Sequence, residues 1–234
     1  MAKHIPRIYC PELKTGVFRV PGDHISHMLR VLRMKQGDRF LAFCADAGEW
    51  ECTITEIKSG CVDAQQLRKV REYAGQKKLA LAICQIKPEN MRLIIEKCTE
   101  LGATHFYLLS SEYTNYHSDI SKLRRIAISA SEQSERIDIS EIHEEKPLGE
   151  FATNLPGEYV WFAAIERESD ACPLLEITTH REPIGFIVGA EGGFSDAEKM
   201  LLRKHIKPVC LSANILRTET AAITCVAIGG MKYF

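Results

Sequence analysis

No apolar stretch in this 234-residue chain approaches the roughly 18 residues that a membrane-crossing helix requires. Its opening, MAKHIPRIYC, lacks the apolar core of a secretory signal. A cytoplasmic protein with no membrane partner is therefore expected. The nine cysteines (10, 44, 52, 61, 84, 98, 172, 210 and 225) include no C-x-x-C pair, and the eight histidines are scattered. An odd count without ligand spacing argues against a disulfide framework and a zinc centre, so no metal is expected. Most of the cysteines have apolar neighbours, which reads as reduced thiols serving as small hydrophobes in a reducing compartment. Neither G-x-x-x-x-G-K-[ST] nor G-x-G-x-x-G occurs, so the common phosphate and dinucleotide loops are excluded. Low-complexity tracts and internal repeats are also missing.

What is present is an ordinary globular composition, 45% hydrophobic and 26% charged. The formal net charge of −1 hides an asymmetry. Residues 1–72 hold 12 Lys and Arg against 9 Asp and Glu, while residues 73–234 hold 18 against 22. The first part reads as short strands (Phe40–Cys44, Glu51–Ile57, Cys61–Ala64) spaced by turn signals, which suggests a small β-barrel with one helix from about Asp23 to Arg33. The polar segment around Gly75 marks a boundary, giving domains 1–72 and 73–234.

Beyond it, strand and helix alternate. Leu79–Ile86 is a continuous apolar run, and Pro88 suits the first turn of a helix. Met91, Ile94, Ile95, Cys98 and Leu101 then fall on one helical face, with Gly102 closing it. His105–Leu109 is a strand, and Ser118 and Asp119 open a helix reaching about Glu135. Tyr159–Ala164, Ile184–Val188 and Val209–Leu211 are further strands. Ser195-Asp-Ala-Glu198 is a capping box, and a last helix starts at Thr218. The pattern predicts an α/β fold, a parallel sheet with helices on its faces.

Two loops carry chemistry. Gly189-Ala-Glu191-Gly192-Gly193-Phe-Ser195 joins an apolar strand to a capped helix, where α/β sheets bind ligands. Glu191 among the glycines would repel phosphate and suits a cationic or hydroxyl-bearing ligand. Leu211-Ser-Ala-Asn-Ile215-Leu-Arg217-Thr-Glu219 enters the last helix. Capping explains Thr218 and Glu219, but not Arg217, a cation where the helix dipole disfavours one.

With Val31-Leu-Arg33…Gly37-Asp38, Glu96-Lys97…Leu101-Gly102 and Glu132-Gln133-Ser-Glu-Arg136, these two loops make nearly the whole chain resemble the ribosomal RNA small subunit methyltransferase E family of the SPOUT superfamily. The resemblance implies a PUA-like β-barrel, here residues 1–72, followed by a trefoil-knotted methyltransferase domain, here residues 73–234. It implies a homodimer that takes a methyl group from S-adenosylmethionine (SAM) to N3 of one uridine in 16S ribosomal RNA. By position, Gly189, Glu191, Gly192 and Gly193 match the first donor loop, and Leu211, Ser212, Ile215 and Leu216 the second. Ala163 and Ala164 match a third wall. Arg217, Thr218 and Glu219 match the reaction centre, with Thr218 also counted toward the donor, and Glu132, Gln133 and Arg136 match a helix facing the substrate. The family pattern has proline, glycine and two arginines where this chain has Ala190, Ser212, Asn214 and Tyr113.

Uridine N3 must lose a proton to become nucleophilic. The implied chemistry therefore needs a cation for the uracil oxygens, Arg217, and a base, Glu219 or Glu132. His24, His27, Arg30, Arg33 and Lys35 form the densest basic stretch and are candidates for RNA phosphates. Two other readings stand beside this one: a SPOUT methyltransferase acting on another ribosomal or transfer RNA nucleotide, and a non-catalytic RNA-binding assembly factor.

Overall fold

A computed structural model describes residues 5–166, 171–176 and 183–231. The chain packs as two units. One runs to Gly75 and takes in Ser131–Ile139, and the other comprises Gln76–Ala130 and the chain from Ser140 onward.

The first unit contains strands β1 (Arg7–Tyr9), β2 (Val17–Arg19), β3 (Arg39–Cys44), β4 (Gly48–Lys58) and β5 (Cys61–Arg71). They form one sheet in the order β1-β3-β4-β5-β2. β1 lies parallel to β3, and the remaining pairs are antiparallel. The sequence signals for β3 to β5 correspond to strands, but β1 and β2, at three residues each, are too short to show alternation. Ile8, Phe18, Met28, Phe40, Cys52, Ile54 and Val62 belong to the core of this unit. The helix expected over 23–33 is shorter: α1 (Gly22–Ser26) passes into one turn of wider π winding over His27–Val31. His24 is half-buried there, while His27, Arg30, Arg33 and Lys35 are exposed.

The strands described in the second unit are β6 (Leu79–Cys84), β7 (His105–Ser110), β8 (Glu141–Pro147), β9 (Val160–Ala164), β10 (Cys172–Pro173), β11 (Ile184–Val188) and β12 (Lys207–Cys210). Their order is β10-β12-β9-β11-β6-β7-β8, and every adjacent pair is parallel. β6 and β11 are buried along their whole length, as continuous apolar runs require. The α-helices are α2 (Pro88–Glu100), α3 (Ile120–Gln133), α4 (Leu148–Thr153), α5 (Asp196–His205) and α6 (Thr218–Met231).

Pro88 occupies the first position of α2, and Gly102, at φ +99°, closes that helix. The Ala103 N–H then reaches back to the Cys98 carbonyl, the pattern of a Schellman cap. Leu101 is the one residue of the expected apolar face that stays exposed, because the helix has ended there; Thr99 is buried in its stead. β8, with the sequence Glu-Ile-His-Glu-Glu-Lys-Pro, gives no strand signal of its own, because its alternation is faint and its residues mostly polar. β12 begins two residues earlier than expected and ends at Cys210. Cys10, Cys44, Cys52, Cys84, Cys98 and Cys225 are buried, and all nine cysteines are free. Burial pushes the Cys52 and Cys84 thiols up to about 12. No helix among the described residues is long and apolar enough to cross a membrane.

Candidate functional site

β12, β9 and β11 are neighbours in the sheet, and the loops leaving their carboxyl ends meet around one cavity of about 1200 Å³. This is where open parallel sheets bind ligands. The loop after β11 supplies Gly189, Glu191, Gly192 and Gly193; the loop after β12 supplies Leu211, Ser212, Ile215 and Leu216; the end of β9 supplies Ala164. Arg217, Thr218 and Glu219 complete the wall at the start of α6. Ala163, one residue further back in β9, is fully buried and does not line the cavity.

The glycine loop is a tight reversal. The Gly193 N–H donates to the Ala190 carbonyl at 2.9 Å, and Gly193 takes φ +72°. A side chain at Gly189 would come within 3.1 Å of the Gly193 backbone, so glycine is what permits this fold-back. α5 starts with the capping box expected for it. The Ser195 hydroxyl accepts from the Glu198 N–H, and Glu198 Oε2 accepts from the Ser195 N–H at 2.9 Å. The second oxygen of Glu198 accepts the Glu112 N–H at 2.9 Å, which brings the 111–114 turn onto the same carboxylate. Tyr113, in that turn, lays its ring on Gly192.

At the start of α6 the Arg217 carbonyl accepts the Ala221 N–H at 2.8 Å. Arg217 is therefore the N-cap, one position earlier than a Thr218 cap; Thr218 is buried and Arg217 is exposed. Glu166, Glu191 and Glu219 line the cavity together with Lys87, Lys199 and Arg217. Ile165, Val188, Ile215 and Leu216 add apolar surface, Ile215 being 58% exposed. Such a mixed lining suits a molecule that carries charges of both signs and a flat apolar part. Lys87, Asn90 and Lys199 also line the cavity but are absent from the sequence motifs. The first two stand at the start of α2 and the third in α5, and these helices reach the cavity only through the tertiary fold.

Glu132 does not line this cavity; it packs within the first unit. Its Oε1 accepts the Tyr9 N–H at 2.9 Å and lies 3.5 Å from His24 Nδ1. Burial raises the Glu132 carboxyl above the usual range and lowers His24. Gln133 is exposed. Arg136 is buried, with its guanidinium on Asp138 at 2.7 and 3.4 Å. α3 ends at Gln133, so Glu132 and Arg136 do not form the i, i+4 pair that a longer helix would give.

Comparison with known proteins extends these observations. A family model described as an RNA methyltransferase domain matches residues 74–229, and one described as an RNA methyltransferase PUA domain matches residues 20–65. A Rickettsia conorii protein named ribosomal RNA small subunit methyltransferase E is 30% identical, over 87% of this chain and 85% of that one. A Synechocystis protein of the same name is 31% identical, over 87% and 69%. Among solved structures, the Legionella pneumophila putative methyltransferase Lpg2936, in complex with SAM, superposes with a TM-score of 0.88 at 28% identity, covering 97% of both chains. A Neisseria gonorrhoeae ribosomal RNA small subunit methyltransferase E bound to SAM gives 0.86 at 27% identity, covering 96% of both.

Proposed function

Because the chain belongs to the ribosomal RNA small subunit methyltransferase E family of RNA methyltransferases, we propose that it transfers a methyl group from SAM to N3 of a specific uridine in 16S ribosomal RNA. The observation that carries this reading is the convergence of the β9, β11 and β12 loops on one cavity, with Arg217 and Glu219 at its wall. The names of the relatives support ribosomal RNA as substrate, and the SAM-bound neighbours support the donor.

The residues present fit that donor. Gly189 admits close backbone approach, the cavity carboxylates complement a sulfonium, and Ile215 and Leu216 offer apolar walls for a base. When bound, the donor would supply an electrophilic methyl group. In this reading Gly189, Glu191, Gly192, Gly193, Leu211, Ser212, Ile215, Leu216 and Thr218 hold and orient it, with Ala164 closing one side over the buried Ala163. Holding the reactants in line supplies much of the rate. Arg217 steadies negative charge on the uracil oxygens. Glu219, at the cavity wall, is the first candidate to take the N3 proton. Glu132, the other expected base, does not line the cavity and its Oε1 is held by the Tyr9 N–H, so Glu219 is preferred to it.

Residues 1–72 are the RNA-binding part of this proposal, through His27, Arg30, Arg33 and Lys35 on its surface, with His24 beside them and the exposed Gln133 on the 131–139 segment; Arg136, buried on Asp138, is left out of it. Residues 73–234 are the catalytic part, with a knotted path through the 189–217 region. A homodimer is also part of the proposal. α6 carries no charged residue after Glu219; Ile223, Ala227 and Ile228 remain partly exposed, and Met231 is 72% exposed. A helix with no charged side calls for cover on every side.

The test is methyl transfer from labelled SAM to 16S RNA isolated from cells lacking this protein, read by mass spectrometry. Arg217→Ala is expected to abolish transfer while SAM still raises the melting temperature by about 5–10 °C at a hundredfold excess over Kd. Unchanged turnover in that variant would remove Arg217 from the mechanism. Label appearing on transfer RNA alone would redirect the substrate, and no thermal response to SAM would favour a binding factor without catalysis.

A further inference from the structure

His105 opens β7, and Glu141 and His143 lie on the adjacent edge strand β8. The parallel register sets His105 opposite Glu141 and Tyr107 opposite His143. Glu141 and His143 are two residues apart and so share a face of the strand. One ligand-capable atom from each of the three side chains falls within 4.8 Å of the other two. His105 Nε2 lies 3.7 Å from one Glu141 oxygen, and His143 Nδ1 lies 3.5 Å from the other. Both separations exceed those of strong hydrogen bonds.

The His105 ring is oriented by its neighbours. His105 Nδ1 lies 2.9 Å from the Thr104 hydroxyl, which is also within hydrogen-bond distance of the Leu79 carbonyl at 3.0 Å. The Tyr159 hydroxyl also approaches Nδ1, at 2.8 Å, so Nδ1 is engaged and Nε2 is the nitrogen turned to Glu141. The His143 ring is held parallel to Tyr107, 4.3 Å between centroids and 2° between planes. Its Nε2 is buried without a hydrogen-bond partner, which leaves Nδ1 as the nitrogen turned to Glu141.

We propose that His105 Nε2, His143 Nδ1 and the Glu141 carboxylate form a binding site for a divalent transition-metal ion of zinc type, with solvent completing its coordination. Two imidazoles and a carboxylate are an established zinc donor set. Tetrahedral ligands about 2.0–2.2 Å from zinc lie about 3.3–3.5 Å apart, close to the two nitrogen–oxygen separations found here. Thr104 and Tyr159 supply the outer partners that orient a ligating histidine. The ion would fasten the edge strand β8, which among the described strands pairs with β7 alone and whose register slips between Tyr107 and Leu109. The scattered histidines of the sequence meet only through this pairing of β7 with β8.

The test is calorimetric titration of the chelator-washed full-length protein with zinc chloride, together with visible absorption after loading with cobalt(II). One ion per chain is expected. Glu141→Gln, at an exposed side chain, and His143→Phe, which keeps the stack on Tyr107, should each weaken binding by at least the roughly tenfold that loss of even an outer partner costs. Cobalt bands without thiolate charge transfer would support a nitrogen and oxygen donor set. Absence of saturable binding, wild-type affinity in both variants, or thiolate bands from the free cysteines would each overturn the proposal. None of these readouts depends on methyl transfer, so the site and the proposed activity stand or fall separately.

Discussion

Gly192 shows how narrow the tolerance is at single positions around the cavity. A Cβ placed there would meet the Tyr113 ring at 3.0 Å. Gly192→Ala is therefore expected to push the ring aside and weaken SAM binding, while the double variant with Tyr113→Ala recovers it; titration of SAM against both variants checks this. A single variant that binds as tightly as the parent would show that the ring yields freely. Much at this scale is legible in the sequence. The glycine loop stands out by three glycines between a strand and a capping box, and Arg217 by being a cation that capping does not want. Glu132 is not legible in the same way. Its partners, Tyr9 and His24, lie more than a hundred residues away in sequence, and no local pattern encodes that packing.

At the scale of elements, the end of α3 has two devices. Glu135 adopts φ +60°, and the Arg136 N–H returns to the Ser131 carbonyl, a Schellman cap with glutamate where glycine is usual. Glu135→Gly should relieve the left-handed strain and stabilise the protein by up to about 1 kcal/mol, seen as a higher urea midpoint. The second device is Arg7, whose guanidinium donates to the carbonyls of Ser131, Glu132 and Arg136 and to Glu49. Burial alone would raise the Glu49 carboxyl, but hydrogen bonds from Arg71 and Arg7 outweigh it and hold the group below the usual range. Its folded value thus lies under its unfolded one. The resulting stabilisation is complete above the unfolded value, about 4.3, and is lost as pH falls through the folded one. Arg7→Ala should cost about 3–5 kcal/mol by leaving a buried carboxylate half-paired. Denaturant midpoints measured from pH 7 downward check both statements. α2, α5, β6 and β11 are plain in the sequence, because long periodic or continuous apolar runs are strong local signals. The three-residue strands and the polar β8 are not, because they exist only through the neighbours that pair with them.

For the whole molecule, the small positive excess of residues 1–72 includes an exposed group, His27, Arg30, Arg33 and Lys35. If these meet RNA phosphates, affinity for 16S RNA falls as salt rises. Each phosphate contact removed should lower the slope of log affinity against log salt by about 0.7–0.9. Arg30→Ala with Arg33→Ala, followed by filter binding over a salt series, measures this; an unchanged slope would place the RNA elsewhere. The sheet order is not readable from the sequence. Alternation predicts parallel strands, but the seating of β12 between β10 and β9 depends on long-range pairing.

The Glu198 carboxylate has a consequence for traffic through the cavity. With one oxygen on Ser195 and the other on Glu112, it rivets the end of the glycine loop and the 111–114 turn to a single helix. That side behaves as a fixed jamb. In the loop after β12, by contrast, Ser212, Ala213, Asn214 and Ile215 line the cavity and all stand exposed, so the wall there is thin.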